Sequence, residues 1–271
     1  VAGELVYTTG EGNNSEIAIV SANGGASTLL TNNSSFDGEP DWSPNGARIA
    51  YESAASGNRD IVIMNNDGSG VQRLTTSADD DRNPDWSPNG SLIIYESGTD
   101  EDSFDLYTVN VSTGDITQLT DNDFGERAPV FSPNGSQITF MSNQNGSWQI
   151  AVADYPNLDQ VQLFDCPAAD CRFPIWSPDG GRIAYNTLDS TGRVDAVWVL
   201  NPSSGISTAL VNEAANRDGR PSWSGDGIHV FFNRTNADGN TDLYRINRQS
   251  GLITRLTTEP ANQYGPDWHP G

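Results

Sequence analysis

One short phrase recurs along the chain at a nearly constant interval. It is PDWSPNG at residues 40–46 and again at 84–90, and it returns as PVFSPNG, PIWSPDG, PSWSGDG and finally PDWHPG. The aromatic residue of the phrase falls at Trp42, Trp86, Phe131, Trp176, Trp223 and Trp268, so the spacings are 44, 45, 45, 47 and 45 residues. A period near 45 with strand-like patterning is typical of propeller blades or of a solenoid.

Each repeat divides into four strand patterns. The phrase is the first strand, and the Ser-Pro-Asn-Gly that ends it has Pro and Gly where a tight turn needs them. In the second strand, typified by ARIAYES, Ile49 and Tyr51 are two residues apart and therefore lie on the same face of the strand. DIVIM and VQRLTT are examples of the third and fourth strands. Four strands every 45 residues predict an all-β protein, a six-bladed β-propeller of four-stranded antiparallel blades.

The N-terminal segment explains why the last phrase is incomplete. Residues 4–31 match the second, third and fourth strands of a repeat but have no first strand, which the C-terminal GPDWHPG can supply. We therefore expect a single domain over residues 1–271, with its ring closed by the C-terminal strand. The expected blades are near 38–75, 82–120, 127–164, 172–211, 219–257 and 264–271 plus 1–31. In an alternative arrangement, the C-terminal strand pairs with a neighbouring chain and builds a filament.

Composition excludes several classes of partner. The chain has 36 acidic and 14 basic residues, a formal charge of −22, which would repel a nucleic acid backbone. No apolar run approaches the roughly 18 residues of a membrane helix, so we expect no membrane insertion. The two cysteines, Cys166 and Cys171, lie in the segment CPAADC, and we expect them to form a disulfide in an oxidising compartment; two free thiols are the alternative.

The phrases PDWSPNGARIAYES and GNRDIVIMNNDGSGVQRLT resemble the repeats of the TolB-like β-propeller family. The resemblance extends over the whole chain. It implies a six-bladed propeller that works outside the cytoplasm, in the periplasm or at the cell surface, and that binds a protein partner. Related propellers also serve as gating domains beside hydrolases. The α/β domain that precedes the propeller in TolB is not part of this sequence.

The sequence offers no clear catalytic residues. It lacks the Gly-x-Ser-x-Gly elbow of serine hydrolases and a phosphate-binding loop, so we expect a protein that is not an enzyme and needs no cofactor. Acidic loops such as SADDDRN, TDEDSFD and NADGNTD have oxygen ligands that suit calcium. None has the complete spacing of a calcium loop, so solvated loops are the alternative interpretation.

The candidate binding site is the set of loops that enter the first strands. These six loops differ from one another in length and charge, whereas the turn phrases on the opposite face are near copies, as a purely structural element would be. Arginines recur in them, together with carboxylates and aromatic residues. The candidate ligand-binding residues are Asp37, Glu39, Arg82, Glu126, Arg127, Arg172, Phe173, Arg220 and Tyr264.

Two interpretations of these loops remain open. The arginines can grip an acidic peptide end or an anionic glycan group, or they can pair with neighbouring carboxylates and hold the loops together. The sequence therefore predicts an extracytoplasmic protein- or peptide-binding module, monomeric, with the channel mouth as its docking surface. The alternatives are a self-assembling surface or filament subunit and, with less support, a metal-dependent enzyme or the accessory propeller of a hydrolase.

Overall fold

The structure, a computed structural model, describes residues 2–100, 103–213 and 216–269, without the side chain of Asp195. Within these ranges the chain forms six four-stranded antiparallel sheets. The only helical element among the described residues is a 3-10 turn at Gly12–Asn14. The predicted all-β class and the six-bladed propeller are confirmed.

The strands follow the sequence repeat blade by blade. Blade 1 consists of β24 (Gln263–His269), β1 (Glu4–Thr9), β2 (Glu16–Ser21) and β3 (Thr28–Leu29). Blade 2 consists of β4 (Asp37–Trp42), β5 (Arg48–Ser53), β6 (Asp60–Asn65) and β7 (Gln72–Arg73). Blade 3 consists of β8 (Asp80–Trp86), β9 (Leu92–Gly98), β10 (Asp105–Asn110) and β11 (Ile116–Gln118).

The other three blades have the same order. Blade 4 consists of β12 (Glu126–Phe131), β13 (Gln137–Ser142), β14 (Gln149–Asp154) and β15 (Gln162–Phe164). Blade 5 consists of β16 (Asp170–Trp176), β17 (Ile183–Leu188), β18 (Val194–Asn201) and β19 (Ile206–Val211). Blade 6 consists of β20 (Arg217–Trp223), β21 (His229–Thr235), β22 (Thr241–Asn247) and β23 (Ile253–Arg255). The first strand of each blade lines the central channel and contacts the first strands of both neighbouring blades.

The ring closes between the two ends of the described chain. Strand β24 pairs antiparallel with β1, with Leu5 opposite Trp268 and Thr9 opposite Gln263. The predicted closure by the C-terminal strand is therefore confirmed. Pairing with β24 gives β1 a neighbouring strand on both of its edges, as the second strand has in the other blades. Val1, Pro270 and Gly271, which belong to the expected closing blade, lie outside the described residues.

The hydrophobic core lies between neighbouring blades. Between blades 1 and 2, for example, Val6 and Ile17 pack against Trp42, Ile49 and Tyr51. Alternation along each strand sends one set of side chains to each neighbouring blade, so the repeat period and the strand period together generate six such clusters. Trp268 packs against the cluster that joins blade 6 to blade 1.

The turn phrases close hairpins on one face of the ring. In blade 2 the Ser43 hydroxyl accepts the Arg48 N–H at 2.9 Å, and Asn45 Oδ1 accepts the Ala47 N–H at 3.0 Å. Gly46 has a φ of 66°, a conformation that glycine adopts without the penalty of a side chain. Blades 3 and 4 repeat these bonds with Ser and Asn, and blades 5 and 6 repeat them with Ser and Asp, so this face is nearly uniform in five of the six blades.

Candidate functional site

Every first strand carries a bulge at the same position of the repeat. The pairing with the second strand shifts register three residues before the aromatic residue of the repeated phrase, where a proline follows and has no N–H for the ladder. The bulged residue has a positive φ in all six blades, between 48° and 55°. These six residues, which we call the bulge ring, are Glu39, Asn83, Ala128, Phe173, Arg220 and Gly265.

Neighbouring blades hold the bulge ring in place. The Glu39 N–H donates to the Thr8 hydroxyl at 3.0 Å, and the Arg220 N–H donates to Asn186 Oδ1 at 3.2 Å. The Ala128 N–H donates to Glu96, which is fully buried. A left-handed conformation is unfavourable for a residue other than glycine, and these hydrogen bonds to the second strand of the preceding blade offset that cost. All six ring residues line the channel.

Five arginines meet above the bulge ring, in a cavity of about 210 Å³ that we call the mouth cavity. All 14 basic residues of this chain are arginines, and there is no lysine. More than a third of them therefore converge on one cavity of a protein whose formal charge is −22. The five are Arg59, Arg82, Arg127, Arg172 and Arg220.

Each of the five arginines pairs with a carboxylate, but the pairs differ in burial. Arg127 pairs with Glu96 at 2.9 Å, and their side chains are 11% and 0% exposed. Arg82 and Arg172 pair with Asp80 and Asp170 of their own loops, at 2.6 and 3.5 Å, in pairs that are about a quarter exposed. The remaining pairs are Arg59 with Glu52 and Arg220 with Glu39.

Aromatic rings fix the five guanidinium groups. Arg127 and Arg82 lie over the Phe104 ring, at 4.8 and 5.1 Å from its centroid. Arg220 lies 4.0 Å above Phe173, Arg59 lies 4.0 Å above Phe36, and Arg172 lies 5.8 Å from Trp148. Since stacking leaves the guanidinium edge free to donate hydrogen bonds, the rings pre-organise the arginines for an acceptor.

Three buried polar atoms of the mouth cavity have no hydrogen-bond partner among the described residues. They are Arg82 Nε, Arg172 Nε and Glu52 Oε2. Burial raises the pKa of Glu52 to about 7; its neighbour Glu96 acts in the same direction, and Arg59, Arg82 and Arg127 act against it. The cavity thus offers two unused donors beside a carboxyl group that exchanges its proton near neutral pH.

Below the bulge ring, the channel wall is divided in two. Blades 1, 2 and 3 contribute Asp267, Asp41 and Asp85, whereas blades 4, 5 and 6 contribute, at the same repeat position, Val130, Ile175 and Ser222. Each carboxyl accepts the N–H of the next blade's aromatic residue; Asp267, for example, accepts from Trp42 at 3.0 Å. Burial and mutual repulsion raise the pKa of Asp41 well above its ordinary value.

The structure places the candidate site residues in two groups. Glu39, Arg82, Arg127, Arg172, Phe173 and Arg220 all line the mouth cavity. Asp37 and Glu126 lie beneath their loops instead, where Asp37 accepts hydrogen bonds from Ser53 and Asn33, and Glu126 accepts one from Asn122. Tyr264 is half-buried and lies outside the lining of the mouth cavity.

Cys166 and Cys171 form the expected disulfide, with a Cα–Cα distance of 5.6 Å. Cys171 stands five residues before Trp176, the repeat position that Asp37, Asp81 and Glu126 occupy in blades 2, 3 and 4. In those blades the carboxylate ties down the entrance loop with hydrogen bonds. In blade 5 a covalent bond ties down the same loop.

Sequence reasoning missed several residues that line the mouth cavity or contact its arginines. Arg59 and Phe104 lie in the loops between the second and third strands, which do not align with one another in the sequence. Glu52 and Glu96 directly follow the second-strand aromatic residue, at a position where blades 1, 4, 5 and 6 have Thr8, Met141, Asn186 and Asn233. A carboxylate directly after the buried aromatic residue, at a position where the other four blades have uncharged residues, was the signal that could have identified this position.

The acidic loops do not converge on a metal site within the described ranges. Over residues 2–100, 103–213 and 216–269, no group of three or more His, Cys, Asp or Glu side chains has the geometry to hold a metal ion. Glu101 and Asp102, which belong to the loop TDEDSFD, lie outside these ranges. The same described residues include no helix long and apolar enough to cross a membrane.

Comparisons with known proteins agree with this architecture. The model of the TolB beta propeller domain family matches residues 2–165. An uncharacterised protein of Agrobacterium fabrum is 30% identical over 95 residues, which are 35% of this chain and 30% of that protein. TolB from Acinetobacter baumannii is similar in structure, with a TM-score of 0.83 and 20% identity, over 98% of this chain and 66% of that chain.

A chain of the nidogen–laminin complex is also similar, with a TM-score of 0.77 and 8% identity, over 98% of this chain and 97% of that chain. At these identities, structural similarity shows a common fold and carries no function with it. The chain spans less than two thirds of the length of the Agrobacterium protein and of the Acinetobacter TolB.

Proposed function

We propose, from the premise that this chain belongs to the TolB beta propeller family, that it is an extracytoplasmic binding module for a protein or peptide, with the mouth cavity as its docking site. The observation that carries the proposal is the convergence of five of the 14 arginines on this one cavity. A structural role for the arginines would not require them to share a cavity. The partner presents an acidic group there.

The unsatisfied donors of the cavity support an acidic partner. Arg82 Nε and Arg172 Nε are buried and have no acceptor among the described residues. A buried donor without an acceptor costs about 1–3 kcal/mol, and a bound carboxylate or similar oxygen group would remove that cost. The aromatic rings beside the arginines add apolar contact area for the rest of the partner.

The proposed location outside the cytoplasm rests on the disulfide and on the family. A disulfide such as Cys166–Cys171 persists in an oxidising compartment.

The proposal is tested by comparing which proteins two immobilised double variants of this chain retain from an extract. The mouth variant is Arg82→Gln with Arg172→Gln, and both residues belong to partly exposed pairs that tolerate substitution. The matched control is Arg48→Gln with Arg182→Gln, which removes the same charge from the start of the second strands of blades 2 and 5, beside the turn phrases. Immobilised wild type and both variants are exposed to the same extracytoplasmic extract, and the retained proteins are quantified.

We expect the wild type and the control to retain the same proteins, and the mouth variant to retain at least about tenfold less of them, the loss expected for two charge-assisted hydrogen bonds. Equal retention by the mouth variant would contradict docking at this cavity. Loss in the control instead would move the docking surface to the turn face.

A further inference from the structure

The ion pair between Arg220 and Glu39 differs from the other four because it crosses the channel mouth. Arg220 belongs to blade 6 and Glu39 to blade 2, so the pair passes over blade 1. The bulge-ring residue of blade 1 is Gly265, where a Cβ would lie 3.5 Å from Glu39 Oε2 and 3.7 Å from Arg220 Cδ. These distances are ordinary van der Waals contacts, so the ion pair lies directly against the bulge-ring position of blade 1.

Arg220 is held in place without the help of Glu39. Its backbone N–H donates to Asn186, and its guanidinium group rests on the Phe173 ring at 4.0 Å. Among the described residues, Glu39 is the side chain that accepts a hydrogen bond from this guanidinium, through Nη1 alone. Since a guanidinium has five N–H donors, a carboxylate that binds Arg220 through two of them can replace the single bond to Glu39.

The pair is exposed enough to exchange. The Arg220 and Glu39 side chains are 27% and 19% exposed, whereas Arg127 and Glu96 are 11% and 0% exposed. A partly exposed pair stabilises a protein by about 0–1 kcal/mol, so a competing carboxylate can displace Glu39. Breaking the buried pair would leave an uncompensated charge and is unfavourable.

We propose that the Arg220 guanidinium on the Phe173 ring is the subsite for a carboxylate of the partner, and that Glu39 occupies this subsite in the free protein. This inference rests on the proposed function and deepens it, because it names the chemical class of the ligand and the residue that receives it. Glu39 is an internal competitor: the partner's carboxylate binds Arg220 as the Glu39 carboxylate leaves it. A carboxylate or a similar planar oxygen group can bind the guanidinium fork with two hydrogen bonds, whereas Glu39 now uses Nη1 alone.

A side-chain carboxylate and a chain terminus have the same chemistry, so the probes must distinguish them. Three pentapeptides serve: Ac-Gly-Ala-Glu-Ala-Gly-amide, Ac-Gly-Ala-Gln-Ala-Gly with a free C-terminal carboxylate, and the neutral Ac-Gly-Ala-Gln-Ala-Gly-amide. Each is titrated at low ionic strength into 15N-labelled protein, and dissociation constants are fitted to the amide shifts of the bulge ring.

Glu39→Gln removes the internal carboxylate and keeps the shape of the side chain. We expect this variant to bind a charged peptide about two- to fivefold more tightly than the wild type, the fold-change that corresponds to an exposed ion pair. The neutral peptide should cause no saturable shift, and Arg220→Gln should lose binding of both charged peptides. Whichever charged peptide binds more tightly identifies the source of the carboxylate.

Glu213→Gln is the matched control, because it removes the same charge from an exposed residue paired with Arg234 rather than with a mouth arginine. Its affinity should equal that of the wild type. Equal or weaker binding by Glu39→Gln, no shift of the bulge ring with any charged peptide, or equal tightening by Glu213→Gln would each overturn the inference. The retention assay with the Arg82 and Arg172 variants tests the proposed function separately, because it does not depend on Glu39.

Discussion

Replacing Arg127 by methionine should destabilise the propeller far more than the same change at Arg172. Glu96, the partner of Arg127, is fully buried, so the variant would keep a carboxylate with no counter-charge in contact. Breaking a buried pair in this way costs about 3–5 kcal/mol. The Arg172–Asp170 pair is longer, at 3.5 Å, and about a quarter exposed, so its loss should cost at most about 1 kcal/mol.

The two variants are well matched. Both arginines lie over an aromatic ring, Phe104 or Trp148, so the lost stacking largely cancels in the comparison. Urea titration at equilibrium gives the free energy of unfolding, and a thermal scan should show Arg127→Met melting roughly 6–20 °C below the wild type. Adding Glu96→Gln should restore much of the loss, because the amide oxygen still accepts the Ala128 N–H. If the two single variants differ by less than about 1 kcal/mol, the reasoning from burial is wrong.

Three further changes test the fold. Deleting residues 265–271 removes the part of β24 that carries Trp268 and Asp267, so the truncated chain should melt lower and be cut faster by protease; an unchanged melting temperature would refute closure by this strand. Replacing Cys166 and Cys171 by serine should lower the free energy of unfolding by about 2 kcal/mol, the chain-entropy value for so short a loop, and a urea titration showing no loss would mean that the bridge constrains nothing. Because burial and two neighbouring carboxylates raise the pKa of Asp41 when folded, the folded state binds a proton that the unfolded state releases, and stability should fall as the pH rises from the ordinary pKa of an aspartate through the raised pKa of folded Asp41. Asp41→Asn abolishes this titration, so the melting temperature of the variant minus that of the wild type should increase as the pH rises. A difference in melting temperature that does not change with pH would contradict the expected effect.

Much of the architecture was predictable because it depends on local patterns that recur in every repeat of the sequence. The aromatic residues from Trp42 to Trp268 set the number of blades, and the alternation of Ile49 and Tyr51 identified the second strand with one buried face, whereas the structure buries both faces of this strand between neighbouring blades. The missing first strand before residue 4 and the isolated phrase at the C-terminus predicted closure between β24 and β1. A turn or a strand is decided mainly by residues that are neighbours in sequence, so repetition makes these signals strong.

The sequence by itself also determined that Arg82, Arg127, Arg172 and Arg220 stand at one end of the ring, because their place in the repeat sets their height along the channel. Only the tertiary structure decided what each one contacts. Glu96 lies 31 residues before Arg127, and Glu39 lies 181 residues before Arg220, separations that no local pattern connects. Ring closure brings Arg220 of blade 6 within reach of Glu39 of blade 2, across Gly265. The two ion pairs differ in burial: the buried Arg127–Glu96 pair stabilises the fold, whereas the partly exposed Arg220–Glu39 pair is the one that a ligand can exchange.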